Sequence, residues 1–253
     1  MSKFVDKLRL LSRGSILPMG FRTAANKPKN PAMLLIAGLT QATAKAVVDS
    51  GADAGLVSGR DIKVGSLKSL VREMGDVPLG VFVEGMSREE MSQFAGSGCD
   101  FAVLDIKAPA AMLKMEGVGK LIAVKPSLEE GLVEAIGDLE LPIDGVLITA
   151  EVESFVSIER LLICQHFVEL VDKPLLLTLP SVITGDELRS LQEAGVDGVV
   201  VSAERSVESL VELRKMIDDL PRAVKRRRGR PSVVLPRSSG AGGEVEEEEE
   251  EEI

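Results

Sequence analysis

Two lysines and two carboxylates carry the reactive chemistry this sequence can offer. They are Lys125 in "LIAVKPS", Lys107 and Asp105 in "VLDIKAP", and Glu84 in "GVFVEG". An amine that loses its proton in a partly desolvated setting adds to a carbonyl carbon and forms a Schiff base. A carboxylate within hydrogen-bond reach can then move the protons. Asp105 precedes Lys107 by two residues, so in a strand both leave from one face and read either as an acid/base pair or as a structural salt bridge. The orientation of Lys125 has two readings. Strand height sets it beside the others on the inner face, whereas alignment through its "PS" with Leu179 turns it outward.

Other chemistries lack their residues. The chain has one histidine and neither Trp nor Tyr, so histidine-based triads and histidine metal clusters are excluded. His166 lies in "LLICQHFVEL", a helical stretch, and reads as a packing or solvent-facing residue. Cys99 and Cys164 stand far apart in apolar surroundings and are expected to be buried, reduced thiols. Glu84, Asp105, Glu151 and Glu204 could offer oxygen ligands to Mg²⁺ or Mn²⁺. Their spacing does not demand a metal, and Arg60 and Lys107 would compete. No cofactor is required by the residues.

These groups need elements to hold them. From residue 32, strand-sized apolar runs at 33–38, 54–59, 79–84, 100–106, 121–126, 144–150, 175–179 and 197–203 alternate with helical stretches. Near-continuous Val, Leu and Ile runs imply a parallel sheet covered on both faces. Eight such units fit a closed (βα)8 barrel, the TIM barrel, an α/β fold. An open doubly wound sheet is the alternative, but "AGLTQAT" lacks a Gly-rich dinucleotide turn.

A repeat supports the barrel. "TQATAKAVVDSGAD" (40–53), "SREEMSQFAGSGCD" (87–100) and "TGDELRSLQEAGVD" (184–197) share a Ser or Thr start, a late Gly and a final Asp. A fourth copy, 127–144, carries a four-residue insertion. The copies recur once per two βα units, as four quarter-barrels. The opening residues predict helix N-caps, with Glu90, Glu130 and Glu187 completing capping boxes. Gly51, Gly98 and Gly195 predict left-handed helix ends. Asp53, Asp100, Asp144 and Asp197 open even-numbered strands at the barrel floor, so they are assigned to backbone bonding rather than to catalysis.

Counting forward from each Asp, Val57, Ala102, Leu104, Val146, Ile148, Val199 and Val201 should face the helices. The fifth position is polar throughout (Ser58, Asp105, Thr149, Ser202) and the seventh is charged (Arg60, Lys107, Glu151, Glu204). With Glu84, Lys125 and Thr178 these form a ring at the barrel mouth, the expected site for a small-molecule ligand. Lys125, Lys107, Asp105 and Glu84 are the candidate catalytic residues. Arg60, Thr149, Thr178, Ser202 and Arg205 are the candidate substrate contacts.

"EAGVDGVVVSAE" (193–204) resembles the phosphate-binding TIM-barrel superfamily, which includes ribulose-phosphate-binding enzymes and flavin-linked barrels. The resemblance implies a phosphate or FMN site built from glycines after strands seven and eight. Here those positions read "TLPSVITG" and "VSAERS": the glycines are absent, Pro180 lacks a donor, and Glu204 brings negative charge. "LDIKAPA" resembles the D-x-K-x-x-D of orotidine-monophosphate decarboxylase relatives but carries Ala110 in place of the second Asp.

Residues 1–31 read as an amphipathic helix and loop, the helix serving as a lid on the barrel floor or as an oligomer contact. Residues 32–221 form the barrel, and 222–253 read as a disordered tail, basic and then acidic. "RRRGRP" (226–231) resembles an AT-hook, which implies minor-groove DNA binding through Arg228 and Arg230 and confines nucleic-acid contact to 225–231. The net charge of −10 opposes it. The N-terminus lacks a continuous apolar signal region and no run spans a bilayer, so a cytoplasmic location without membrane contact is expected. The function expected is an aldolase-type lyase acting on a small carbonyl or carboxylate compound. The alternatives are a non-catalytic binding or assembly module that uses its tail, and a flavin-linked oxidoreductase.

Overall fold

The structure, a computed structural model, describes residues 2–12 and 31–221, apart from 41, 61, 86, 139, 150–154, 181 and 203–205. The readings placed on Glu151, Glu204, Arg205, the 15–31 loop up to residue 30 and the tail with Arg228 and Arg230 lie outside the described residues.

Eight short parallel strands close in sequence order into a barrel. They are β1 (Leu34–Gly38), β2 (Ala54–Ser58), β3 (Leu79–Val83), β4 (Phe101–Asp105), β5 (Gly119–Val124), β6 (Gly145–Ile148), β7 (Leu175–Thr178) and β8 (Gly198–Val201). Parallel neighbours need a crossover between them. Helices α2 (Ala44–Asp49), α3 (Val64–Met74) and α4 (Arg88–Gly96) follow β1 to β3. Helices α5 (Glu130–Asp138), α6 (Ile158–Leu170), α7 (Gly185–Glu193) and α8 (Val207–Asp218) follow β5 to β8. After β4 the crossover shrinks to a 3₁₀ turn, Ala110–Lys114, entered through Pro109. This is the TIM barrel.

Side-chain alternation divides the apolar residues into two cores. Val57, Ala102, Leu104, Val146, Ile148, Val199 and Val201 join the core between strands and helices, as expected. Leu34, Ile36, Leu56, Phe101, Val103, Leu121, Ala123, Leu147, Leu176 and Val200 fill the lumen.

The lumen is closed from below by helix α1 (Lys3–Ser12). Phe4 and Leu8, one turn apart, are fully buried among the luminal residues, so the helix is a lid on the barrel floor. Fully burying each contributes about 1.5–3 kcal/mol. Phe4 stacks on Phe101 with centroids 4.2 Å apart. Space for that stack comes from Gly80, where a Cβ would lie 2.3 Å from the Phe101 ring.

The four repeated aspartates hold this floor. Asp53 accepts the Leu35 N–H (3.0 Å), Asp144 the Lys120 N–H (3.0 Å) and Asp197 the Leu175 N–H (2.8 Å), each from the preceding strand. Asp100 turns instead to α1, accepting the Lys3 and Phe4 N–H groups and the Ser2 hydroxyl. Lys7 and Arg9 of α1 reach Asp53 and Asp144. The repeat therefore writes both the strand starts and the seat for the plug.

Both halves of the capping prediction hold for two copies. Ser87 with Glu90 and Thr184 with Glu187 form reciprocal capping boxes. In the first copy Thr43, not Thr40, precedes the helix. In the inserted fourth copy α5 begins at Glu130 itself, so that glutamate occupies the first helical position and cannot reach back as a third-position partner. Gly51, Gly98 and Gly195 take φ of 75°, 97° and 94°, the left-handed ends expected. No helix among the described residues is long and apolar enough to cross a membrane.

Candidate active site

Lys125 directly follows β5, and the luminal alternation of Leu121 and Ala123, extended one residue past the strand, favours the mouth over the outward direction of Leu179. Leu179 belongs to the outer core. The same alternation brings Ser58, Glu84, Asp105, Thr149, Thr178 and Ser202 to the rim. The ring splits into two arcs. Strands β3, β4 and β5 present Glu84, Asp105 and Lys125, and strands β6, β7, β8 and β2 present hydroxyls. Between β8 and β2 the rim position of β1 is Gly38, which adds no side chain.

Strand register fixes who stands beside whom. Val83 pairs with Leu104, so one step further Glu84 flanks Asp105. Two adjacent carboxylates repel, and each is held by a different partner. Arg60 Nε lies 3.2 Å from the Glu84 carboxylate. The Asp105 carboxylate accepts the Lys107 backbone N–H at 2.7 Å. That bond closes the turn after β4, and no ion pair joins the Asp105 carboxylate to the Lys107 ammonium. The expected Asp105–Lys107 side-chain pair is replaced by a side chain to backbone bond, because β4 ends at Asp105 and residue 107 has left the strand.

Asp105 pairs with Ala123, two residues short of Lys125. With strands about 4.8 Å apart and about 3.3 Å of rise per residue, the Asp105 and Lys125 backbones stand roughly 8 Å apart on a diagonal. Lys125 is exposed and its four-carbon stem can cross that interval with room for a small molecule. Thr149 borders Lys125 on the other side: its hydroxyl donates to the Val124 carbonyl at 3.1 Å, which leaves its oxygen lone pairs for a ligand. Thr178 is half-buried and Ser202 exposed at the same rim.

Three features outside the ring bear on its chemistry. Lys120, the one lysine within β5, is buried and donates to the Val118 carbonyl at 3.2 Å, behind the sheet and away from the mouth. Burial pushes the Cys99 and Cys164 thiols up to about 12, so neither is a nucleophile. Among the described residues no cluster of three His, Cys, Asp or Glu residues could hold a metal ion. His166 is exposed on α6.

The Arg60–Glu84 pair was not drawn from the sequence, although both residues were. Its signal was the β2–β3 register: Ser58 opposes Phe82, so two steps on Arg60 opposes Glu84.

No family model matches the chain, and no curated protein does. Solved structures do. A variant of the tryptophan synthase α-subunit from the hyperthermophile Pyrococcus furiosus superposes with a TM-score of 0.59 at 14% identity, covering 75% of this chain and 98% of that one. A second variant of that subunit gives 0.58 at 16% identity over the same shares. A cube-shaped, highly porous protein cage, designed by fusing symmetric oligomeric domains, gives 0.56 at 20% identity over 73% of this chain and 70% of that one. At these identities the likeness shows a shared TIM-barrel fold.

Proposed function

We propose that the barrel mouth is a Schiff-base lyase site for a small carbonyl or carboxylate compound, with Lys125 as the amine and Asp105 as the proton-transfer group. The observation that carries this reading is the diagonal of Lys125 and Asp105 across β4 and β5. In the reaction the neutral Lys125 nitrogen adds to the substrate carbonyl carbon, and the carbonyl oxygen leaves as water. The iminium then accepts the electron pair of the adjacent carbon–carbon bond while Asp105 takes the proton of the β-hydroxyl. This releases one carbonyl product and leaves an enamine; Asp105 returns its proton to the enamine carbon to give an iminium, which water hydrolyses to the second carbonyl product and the free amine.

Glu84, neutralised by Arg60, serves as the second carboxylate. Arg60, Thr149, Thr178, Ser202 and Arg205 are the substrate contacts, with Thr149 beside the amine and Thr178 and Ser202 further round the rim. Lys107 is the competing amine. Pro180 weakens the phosphate reading, and with it the FMN reading, because it removes one backbone donor after β7.

A second reading is a binding module without chemistry. Its support is that Glu84 and Asp105 are both already engaged, with Arg60 and with the Lys107 amide. Cleavage assays on a panel of small β-hydroxy carbonyl compounds separate the two. The lyase reading expects Lys125→Arg to lower kcat by at least about a thousandfold while Lys107→Arg stays near wild type. Equal activity of both variants and wild type, or none in any, favours the module.

A further inference from the structure

The outer surface of α6 and its neighbours combines exposed apolar side chains with acidic ones. Phe155, Ile158 and Leu162 are 60%, 77% and 62% exposed, and Val182, before α7, is 69% exposed. Ile158 and Leu162 lie one turn apart on the outward stripe of α6, and Phe155 precedes the helix cap Ser157 by two residues. The Val156 N–H donates to the Glu187 carboxylate at 2.9 Å, which ties the start of α6 to the start of α7 and draws Val182 toward the same end. Large apolar side chains grouped in this way mark an interaction surface. The same three helices expose Glu130 and Asp138 on α5, Glu159 and Glu169 on α6, and Asp186 on α7, while the Arg189 cation of α7 is paired with Glu193.

We propose that this surface is the docking site for the chain's own segment 222–235, "RAVKRRRGRPSVVL". The segment carries six cations and no acid over 222–230, then the apolar Val233, Val234 and Leu235. That order matches an acidic surface with an apolar centre. A second copy of the α5–α7 face would set carboxylates against carboxylates, which makes a face-to-face dimer the poorer occupant.

Geometry permits the contact. The chain leaves α8 at Pro221, whose carbonyl accepts the Gln192 side chain at 2.9 Å, beside the end of α7. The twelve residues from Pro221 to Val233 reach about 40 Å. The path up α6 is about 20 Å, and neighbouring helices stand about 10 Å apart. Tethering supplies an effective concentration of about 1 mM, enough for a weak contact to be occupied.

Disulfide trapping in the full-length chain tests this. Leu162→Cys is paired with Val234→Cys, and a control pairs Val234→Cys with Lys68→Cys on exposed α3. The native thiols are buried and do not interfere. The expected result is a monomeric disulfide at position 162 that forms at least about tenfold faster than the control and slows in high salt. Equal rates for the two pairs overturn the proposal. Disulfide-linked dimers as the main product also overturn it, in favour of a second copy.

Discussion

The Asp100 carboxylate accepts the backbone N–H of Phe4 at 3.0 Å, although the two residues are 96 positions apart. Its three repeat counterparts spend the equivalent oxygen on a strand amide. One carboxylate thus orients the plug whose first aromatic ring fills the bottom of the lumen. Asp100→Ala should lower the unfolding free energy by about 1–2 kcal/mol, the loss of a helix cap. Phe4→Ala should lower it by about 3–5 kcal/mol through cavity formation. Because both act through α1, the double variant should lose less than the sum, as urea denaturation will read.

The two cysteines should be silent in the folded protein. Their thiols are raised to about 12, chiefly by burial, and the Cys99 thiol also donates to the Phe101 carbonyl at 3.0 Å. At about pH 8, where a free thiol near 8.5 reacts readily, a chromogenic thiol reagent should label neither until denaturant is added, and then both. Fast labelling of either thiol in the native state would show that the barrel wall opens.

Glu187 links acid sensitivity to the α6–α7 corner. The Val156 N–H, and with it the backbone and hydroxyl of Thr184, hold its carboxyl below the ordinary value of 4.5. A carboxyl depressed in the folded state stabilises fully above its unfolded value, and that contribution is lost as pH falls through the folded value. Stability should therefore decline below pH 4.5, and Glu187→Gln should flatten that decline while lowering stability at neutral pH. Urea midpoints measured across the acid range will show whether the two profiles converge at low pH.

Much of the fold was legible because a quarter-barrel repeat writes one grammar four times. A Ser or Thr opens each copy, a Gly turns the helix end in three of them, and an Asp precedes the even strand; alternation then sorts Val146 outward and Leu147 inward. The departures arose where that grammar met non-local structure. Asp100 shares the G-x-D repeat position of Asp197, yet its partner is a helix far away in the chain. Lys125 was ambiguous because a two-residue "PS" match competed with strand parity, and the luminal Leu121 and Ala123 favour parity. The Asp105–Lys107 side-chain pair was misread because the strand ends one residue earlier than the apolar run suggests. The Arg60–Glu84 pair required the register between two strands, which no single segment carries.

Lys125 is proposed as a carbonyl-reactive amine at the barrel mouth. Its most direct measurement is borohydride trapping of the folded protein with small aldehydes and keto acids, followed by peptide mass spectrometry. One reduced adduct per chain is expected, located on Lys125, absent in Lys125→Arg and retained in Lys107→Arg. No adduct on folded protein with any of the compounds, or an adduct confined to Lys107, would contradict it.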